Sequence, residues 1–327
     1  MNRRATLLAL LALGAASRAP DVLAQAGRTY RVASIWMATE ATVRPFEQVF
    51  LDALRKHGYV VGRDFVYESR YADGNAARLP GLIDELVALK PDVLAGIEQV
   101  ARVMKDKTAT IPIVLTNSSD PVAIGLVQSL ARPGGNVTGA SFLYEQLGPK
   151  HMELLREIFP RLAKVGQLHD TNVPSSKAAQ ENAREAARKL GLAYVPYHVA
   201  SRADVERAFA AMAKDRPDAL VPSAGSGMLF GLRPMVVENA LRLRIAYTGG
   251  TAPHAEAGGL FSYGANLEEG FRLAASYVDR ILKGAKPADM PVQQPTRFEM
   301  VINLKTAKAL GVKIPHSVLF RADRVIE

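Results

Sequence analysis

Ser118 and Ser119 stand together just after the apolar run Ile111 to Leu115, with Asn117 before them and Asp120-Pro121 after. Hydroxyls and free backbone N–H groups in that setting suit a carboxylate or another acceptor-rich ligand. Serine ahead of a helix also acts as a cap, so the pair has a structural use as well. Comparable polar loops follow other apolar runs. They hold Thr39 and Glu40 after Trp36, Glu98 and Gln99 after Gly96-Ile97, Asp170 after His169, Ser223 and Ser226, and Thr248. These residues are the expected ligand contacts, and their chemistry is recognition. Trp36, the only tryptophan, either stacks on a flat ligand or fills the core.

Bond-making chemistry lacks its parts. The six histidines are scattered, and none forms an HExxH or other metal-spaced pair. Ser226 lies in Ala224-Gly225-Ser226-Gly227, which lacks the G-x-S-x-G spacing of a nucleophile elbow. There is no P-loop and no G-x-G-x-x-G after the first strand. Cysteine is absent, which removes thiol nucleophiles, disulfides and Cys-metal sites together. No catalytic residue, metal or cofactor is therefore expected.

The elements that must position these loops read as a repeated strand-helix unit. Tyr30 to Met37 is an apolar strand, and Val43 to His57 places Val43, Phe46, Phe50 and Leu54 at helical spacing before Gly58. Asp64 to Tyr71, Pro91 to Leu94, Ile111 to Leu115 and Val137 to Ser141 read as further strands, with helices over 75–89 and 98–108. Asp120-Pro121 predicts a helix over 122–131, Asp as N-cap and Pro at the first helical position. The second half echoes the first. Arg31 to Gly58 and Lys164 to Gly191 each span 27 positions from strand start to glycine stop. Each half then reaches a basic-Pro-Asp triplet, Lys90-Pro91-Asp92 and Arg216-Pro217-Asp218, ahead of a strand. Two similar α/β lobes follow, with parallel sheets flanked by helices. The loops expected to face one another across a cleft are 38–42 with 169–176, 96–99 with 223–228, and 116–120 with 248–254.

At 327 residues the chain has room for two cores, and 48% hydrophobic with 22% charged residues is ordinary for a globular protein. The net charge of +9 is spread without a run of five like charges, which reads as solvated helix faces and not as a nucleic-acid surface. Arg3 and Arg4 precede an apolar run from Leu7 to Ala16, and Ala24-Gln25-Ala26 fits a signal-peptidase site. Export by the general secretory route with cleavage after Ala26 is expected. Loss of Arg3, Arg4, Arg18 and Asp21 would lower the charge from +9 to +7. Without cysteine, lipid anchoring is excluded.

Four stretches closely resemble the ABC transporter substrate-binding protein family with the type I periplasmic-binding fold. They are SSDPVAIGLVQSLARPGGNVTGAS (118–141), GGLFSYGANL (258–267), YVDRILKGAKPADMPVQQPTRFEMVINLKTAKALG (277–311) and the ending ADRVIE. The resemblance implies two Rossmann-like lobes joined by crossover hinge strands, closing on a small organic molecule, amino-acid-like or another carboxylate. It also implies an ABC permease as partner, a monomer, and location in the periplasm. Similar proteins include binders of aromatic amino acids. The lobes are expected over 27–143 with about 264–290, and over 144–263 with about 291–327. Where similar proteins carry small residues after the third strand, this chain has Glu98, which could face an ammonium group or serve the helix dipole from the first turn. A sensory receptor of the same fold is the nearest rival. An exported hydrolase lacks a nucleophile with its base, and a repressor core lacks the DNA-binding helix pair.

Overall fold

The computed structural model describes residues 29–223, 225–294 and 297–327. The expected signal segment, 1–26, lies outside the described residues. The described chain forms two α/β lobes.

In the first lobe, strands β1 (Tyr30–Trp36), β2 (Phe65–Tyr71), β3 (Val93–Ile97), β4 (Ile113–Asn117) and β5 (Val137–Gly139) form a parallel sheet in the order β2-β1-β3-β4-β5. β3 and β4 are buried at every position, as strands covered by helices on both faces must be. Those helices include α1 (Glu40–Lys56), α2 (Leu79–Ala88) and α3 (Glu98–Lys107). α1 buries Val43, Glu47, Phe50 and Leu54 on one face.

The second lobe holds α4 (Leu147–Ile158), β6 (Lys164–Asp170), α5 (Ser176–Lys189), β7 (Ala193–Val199), α6 (Arg202–Asp215), β8 (Ala219–Val221), α7 (Gly227–Gly231), α8 (Arg233–Arg242), β9 (Ala246–Gly249), α9 (Ala252–Glu256) and β10 (Phe261–Ala265). The chain then returns to the first lobe. There α10 (Leu267–Leu282) packs on α1 and β4, and Gln293 bridges to Ala140. β11 (Phe298–Asn303) re-enters the second sheet, antiparallel to β10, and β12 (Arg324–Ile326) lies at its edge. The second sheet runs β12-β11-β10-β9-β8-β6-β7.

The repeated basic-Pro-Asp triplet has one physical role in both lobes. Lys90 and Arg216 take a left-handed backbone, φ +52° and +49°, which turns the chain into the next strand. Asp92 then accepts the Arg31 N–H at 2.7 Å, and Asp218 accepts the N–H groups of Ala163 and Lys164 at 2.9 and 2.8 Å. In each case a carboxylate pins the start of the lobe's first strand to the start of its third.

One expected element is absent. Residues 121–132 contain no helix. Asp120 caps as anticipated, accepting the N–H groups of Val122 and Ala123 at 3.0 Å, but Gly125 turns to φ +71° after one turn. The carbonyls of Gly125 and Leu126 bond Lys105 Nζ at 2.7 and 3.0 Å, so α3 satisfies groups a continuing helix would have used.

Candidate functional site

The lobes meet along the carboxyl ends of their strands and enclose a cavity of about 120 Å³. Its walls are mainly apolar. Trp36, at the end of β1, is buried and donates Nε1–H to Glu47 at 2.7 Å, which fixes the ring against Phe271 of α10 at a centroid distance of 5.4 Å. Glu47 also accepts the hydroxyls of Tyr67 and Ser69 from β2, at 2.8 and 2.5 Å, and that of Tyr71 at 2.5 Å. This one helix carboxylate therefore holds the wall's tryptophan. Tyr71 is pushed up to about 12 by burial and by its bond to Glu47, so it stays a donor.

Phe46 stacks on Phe271 at 5.6 Å and meets Phe230 of the second lobe edge-on at 5.7 Å, closing the aromatic wall across the cleft. Arg233 sits over the Phe230 ring at 4.3 Å, and burial lowers its pKa. Tyr144, Tyr247, Leu168, Leu220 and His254 complete the floor. His254 is lowered to about 4, chiefly by burial, and is neutral near pH 7.

Of the residues singled out in the sequence, Trp36, Asn117, Ser223 and Ser226 border the cavity. Ser223 Oγ is buried without a partner, whereas Ser226 donates to Asp170 at 2.5 Å and caps Leu229 at 3.1 Å. Asp170 is buried behind it, raised by desolvation, and accepts Asn172 N–H at 3.0 Å. Thr248 is buried too, its hydroxyl 2.9 Å from His151 Nδ1 and 3.1 Å from the Leu220 carbonyl. Thr39 and Glu40 do not join the site. They are exposed at the first turn of α1, Thr39 bonded to Thr42 at 3.1 Å and Glu40 paired with Arg44 at 3.8 Å.

Glu98 does not face the cavity. Its side chain is sealed beside it at 1% exposure and takes the donors expected to serve a ligand. One oxygen accepts Ser119 N–H at 2.6 Å and Ser118 Oγ at 3.2 Å; the other accepts the hydroxyl of Ser175 and, at 3.4 Å, its N–H. Burial raises the Glu98 pKa, and the serine donors oppose that rise. Gln99 is buried beside it with both side-chain polar atoms unpartnered.

The pairing of loops across the cleft agrees with expectation in part, since Ile97 of 96–99 lies against Gly227 of 223–228, and other contacts join loops not expected to meet. Met37 and Ala38, after β1, lie against Gly227 and Gly231 of α7, after β8. Glu98, after β3, meets Ser175, after β6. Each lobe's first-strand loop thus opposes the other's third-strand loop, as an approximate two-fold axis between similar lobes requires.

The chain matches the family model described as ABC transporter substrate binding protein over residues 40–326. The chain belongs to that family. A tyrosine-binding protein of Clostridioides difficile (strain R20291) is 26% identical over 265 residues, covering 81% of this chain and 76% of the relative. A conserved domain protein of Vibrio cholerae O1 biovar El Tor superposes with a TM-score of 0.85 at 30% identity, over 91% of this chain and all of that one. A domain from Streptococcus pneumoniae solved with L-Trp gives 0.83 at 26% identity, over the same shares. The two-lobed type I periplasmic-binding fold is thereby established, and the family is one of solute-binding proteins.

The sequence marks Phe46 only as an apolar helix position and His254 only as the end of the cleft loop 248–254, and it does not single out Tyr144, Phe230, Tyr247, Phe271 or the clamp Glu47. Phe46 is an apolar position on an amphipathic helix, which reads as core whether it faces core or ligand. Phe230 followed a Gly-Met-Leu stretch with no polar signal.

Proposed function

We propose that the chain is the periplasmic solute-binding component of an ABC importer. It takes a small organic solute with an aromatic ring between its lobes and presents the closed form to an inner-membrane permease. One observation carries the reading: the cavity between the lobes is walled by Trp36, Phe46, Phe230 and Phe271. Flat rings in contact with such walls gain from area burial and from edge or offset stacking. The tyrosine and L-Trp bound by the two relatives are aromatic solutes of this size, which supports the class. The chain acts as a monomer, exported by the signal in 1–26 and unlipidated for want of a cysteine. Contacts to the solute come from Trp36, Asn117, Ser223 and the aromatic wall. Ligand contacts favouring the closed lobes drive closure.

The test is a thermal-shift screen of the protein lacking residues 1–26, against aromatic amino acids, amines and phenols, nucleosides and sugars, with calorimetry on each hit. An aromatic solute at a hundred times its Kd stabilises the fold by about 2.7 kcal/mol. Phe230→Ala should weaken that binding more than tenfold. Hits confined to sugars, or hits indifferent to Phe230→Ala, would sink the reading.

A further inference from the structure

The most unusual group beside the cleft is Glu98. A carboxylate offers about four acceptor sites, and Glu98 has four donors within 3.4 Å: two from Ser118 and Ser119 of the first lobe, and two from Ser175 of the second. Ser118 and Ser119 are wholly buried, and Ser175 is 3% exposed. No Lys or Arg among the described residues pairs with Glu98. The seat is therefore built for one anionic head, from neutral donors on both lobes, and the chain itself supplies that head.

We infer that Glu98 is the specificity-determining residue of the cleft. Resting on the aromatic-solute reading above, its carboxylate fills the seat a solute carboxylate would need, so the solute captured is an aromatic molecule without a carboxylate, neutral or cationic.

Two consequences make the selection strong. A solute carboxylate brought to the same serines would lie within a few ångströms of Glu98, where like charges in a dry site repel. The donors it sought would already be used, leaving its oxygens desolvated and unpaired. An amine meets the opposite field. Tyr144, which lines the cavity, is raised first by burial and then by the Glu98 charge, so Glu98 lies close enough to act on a solute there. The unpartnered Ser223 Oγ remains as a polar contact that any hydroxyl or amine can use.

The experiment measures affinity by calorimetry for matched pairs: tyramine against tyrosine, tryptamine against tryptophan, and benzyl alcohol against benzoate. Wild type, Glu98→Ala and Glu98→Gln are compared, each checked for cooperative unfolding, with Phe230→Ala as a cleft control. Wild type should bind the carboxylate-free member of a pair at least tenfold more tightly. Glu98→Ala, which vacates the seat, should shift that ratio at least tenfold toward the carboxylate. If Glu98→Ala does not fold, Glu98→Gln carries the test, because removing the charge should lower the preference for the amines by the same measure. Wild type binding carboxylates as tightly as their partners, in a manner Phe230→Ala weakens, overturns the inference and leaves the aromatic-solute reading standing. An unchanged ratio in the Glu98 variants overturns it likewise. No binding of any aromatic probe by folded wild type overturns both.

Discussion

Ser175, on the second lobe, gives both its hydroxyl and its backbone N–H to one oxygen of Glu98, on the first. The other oxygen is held by Ser118 and Ser119 of the first lobe, so a single side chain ties the two lobes together. When the cleft opens, water can replace Ser175 on both partners. The contact therefore bears on closure and little on folding.

Ser175→Ala removes a hydrogen bond to a charged group, worth roughly 1.5–3 kcal/mol in a buried setting. The closed-to-open ratio of the ligand-free protein should fall about tenfold or more, read as a larger radius of gyration by small-angle scattering. The unfolding midpoint should barely move. An unchanged radius would mean that Ser175 does not hold the lobes.

Gly227→Ala tests closure from the opposite side of the cleft. A Cβ there would stand 2.4 Å from Met37 Cβ and 3.0 Å from Ile97 Cδ1, both on the first lobe. Real carbon atoms do not approach as closely as the first of these, which belongs to a side-chain root that cannot swing away, and the second is a tight contact that Ile97 must relieve. Solute affinity should drop by tenfold or more while the separate lobes fold normally. Binding at wild-type strength would show that the productive closed form is wider than the one described.

Trp36 is the only fluorophore of its kind and borders the cavity. Its emission should change in intensity on titration with an aromatic solute and follow the calorimetric isotherm. Trp36→Phe keeps most of the ring but leaves Glu47 without the Nε1–H donor, a loss of about 1–3 kcal/mol in stability. A titration in which emission stays constant while heat is released would place the solute away from this wall.

The buried histidines set the response to acid. His151 and His254 are both lowered to about 4 by burial, against an ordinary value of 6.5. The unfolded chain thus takes up protons between pH 6.5 and 4 that the folded chain refuses, so stability is complete above 6.5 and falls as pH drops through that window. Each contributes roughly 3 kcal/mol at full extent. Glu98 and Asp170, raised by burial, act in the opposite sense, losing stability as pH rises above their ordinary values. His151→Gln should flatten the fall of melting temperature between pH 6.5 and 4 by about half. Parallel profiles for variant and wild type would assign the acid sensitivity to other groups.

Local structure was readable because its causes are local. The spacing of Val43, Phe50 and Leu54 made α1, and fully apolar runs made β3 and β4. The doubled triplets at Asp92 and Asp218 marked a repeat whose purpose, pinning the first strand to the third, appears only once N–H partners distant in sequence are seen. The helix expected over 122–131 failed because Gly125 took a positive φ and α3 supplied lysine donors to its carbonyls, a choice made by a neighbouring element.

The sequence by itself determined the two-lobed plan and the polar loops at strand ends, since periodicity and turn residues act over a few positions. Beyond the meeting of 96–99 with 223–228, tertiary structure alone decided which loops oppose each other. The approximate two-fold relation sets the loop after β1 against that after β8, and the loop after β3 against that after β6, and no local signal records such an axis. It likewise decided that Phe46, Phe230 and Phe271, alike in sequence to any core residue, wall a cavity, and that Ser118 and Ser119 serve Glu98. A hydroxyl's partner is fixed by what the fold brings within 3 Å, and here the fold brought the chain's own carboxylate.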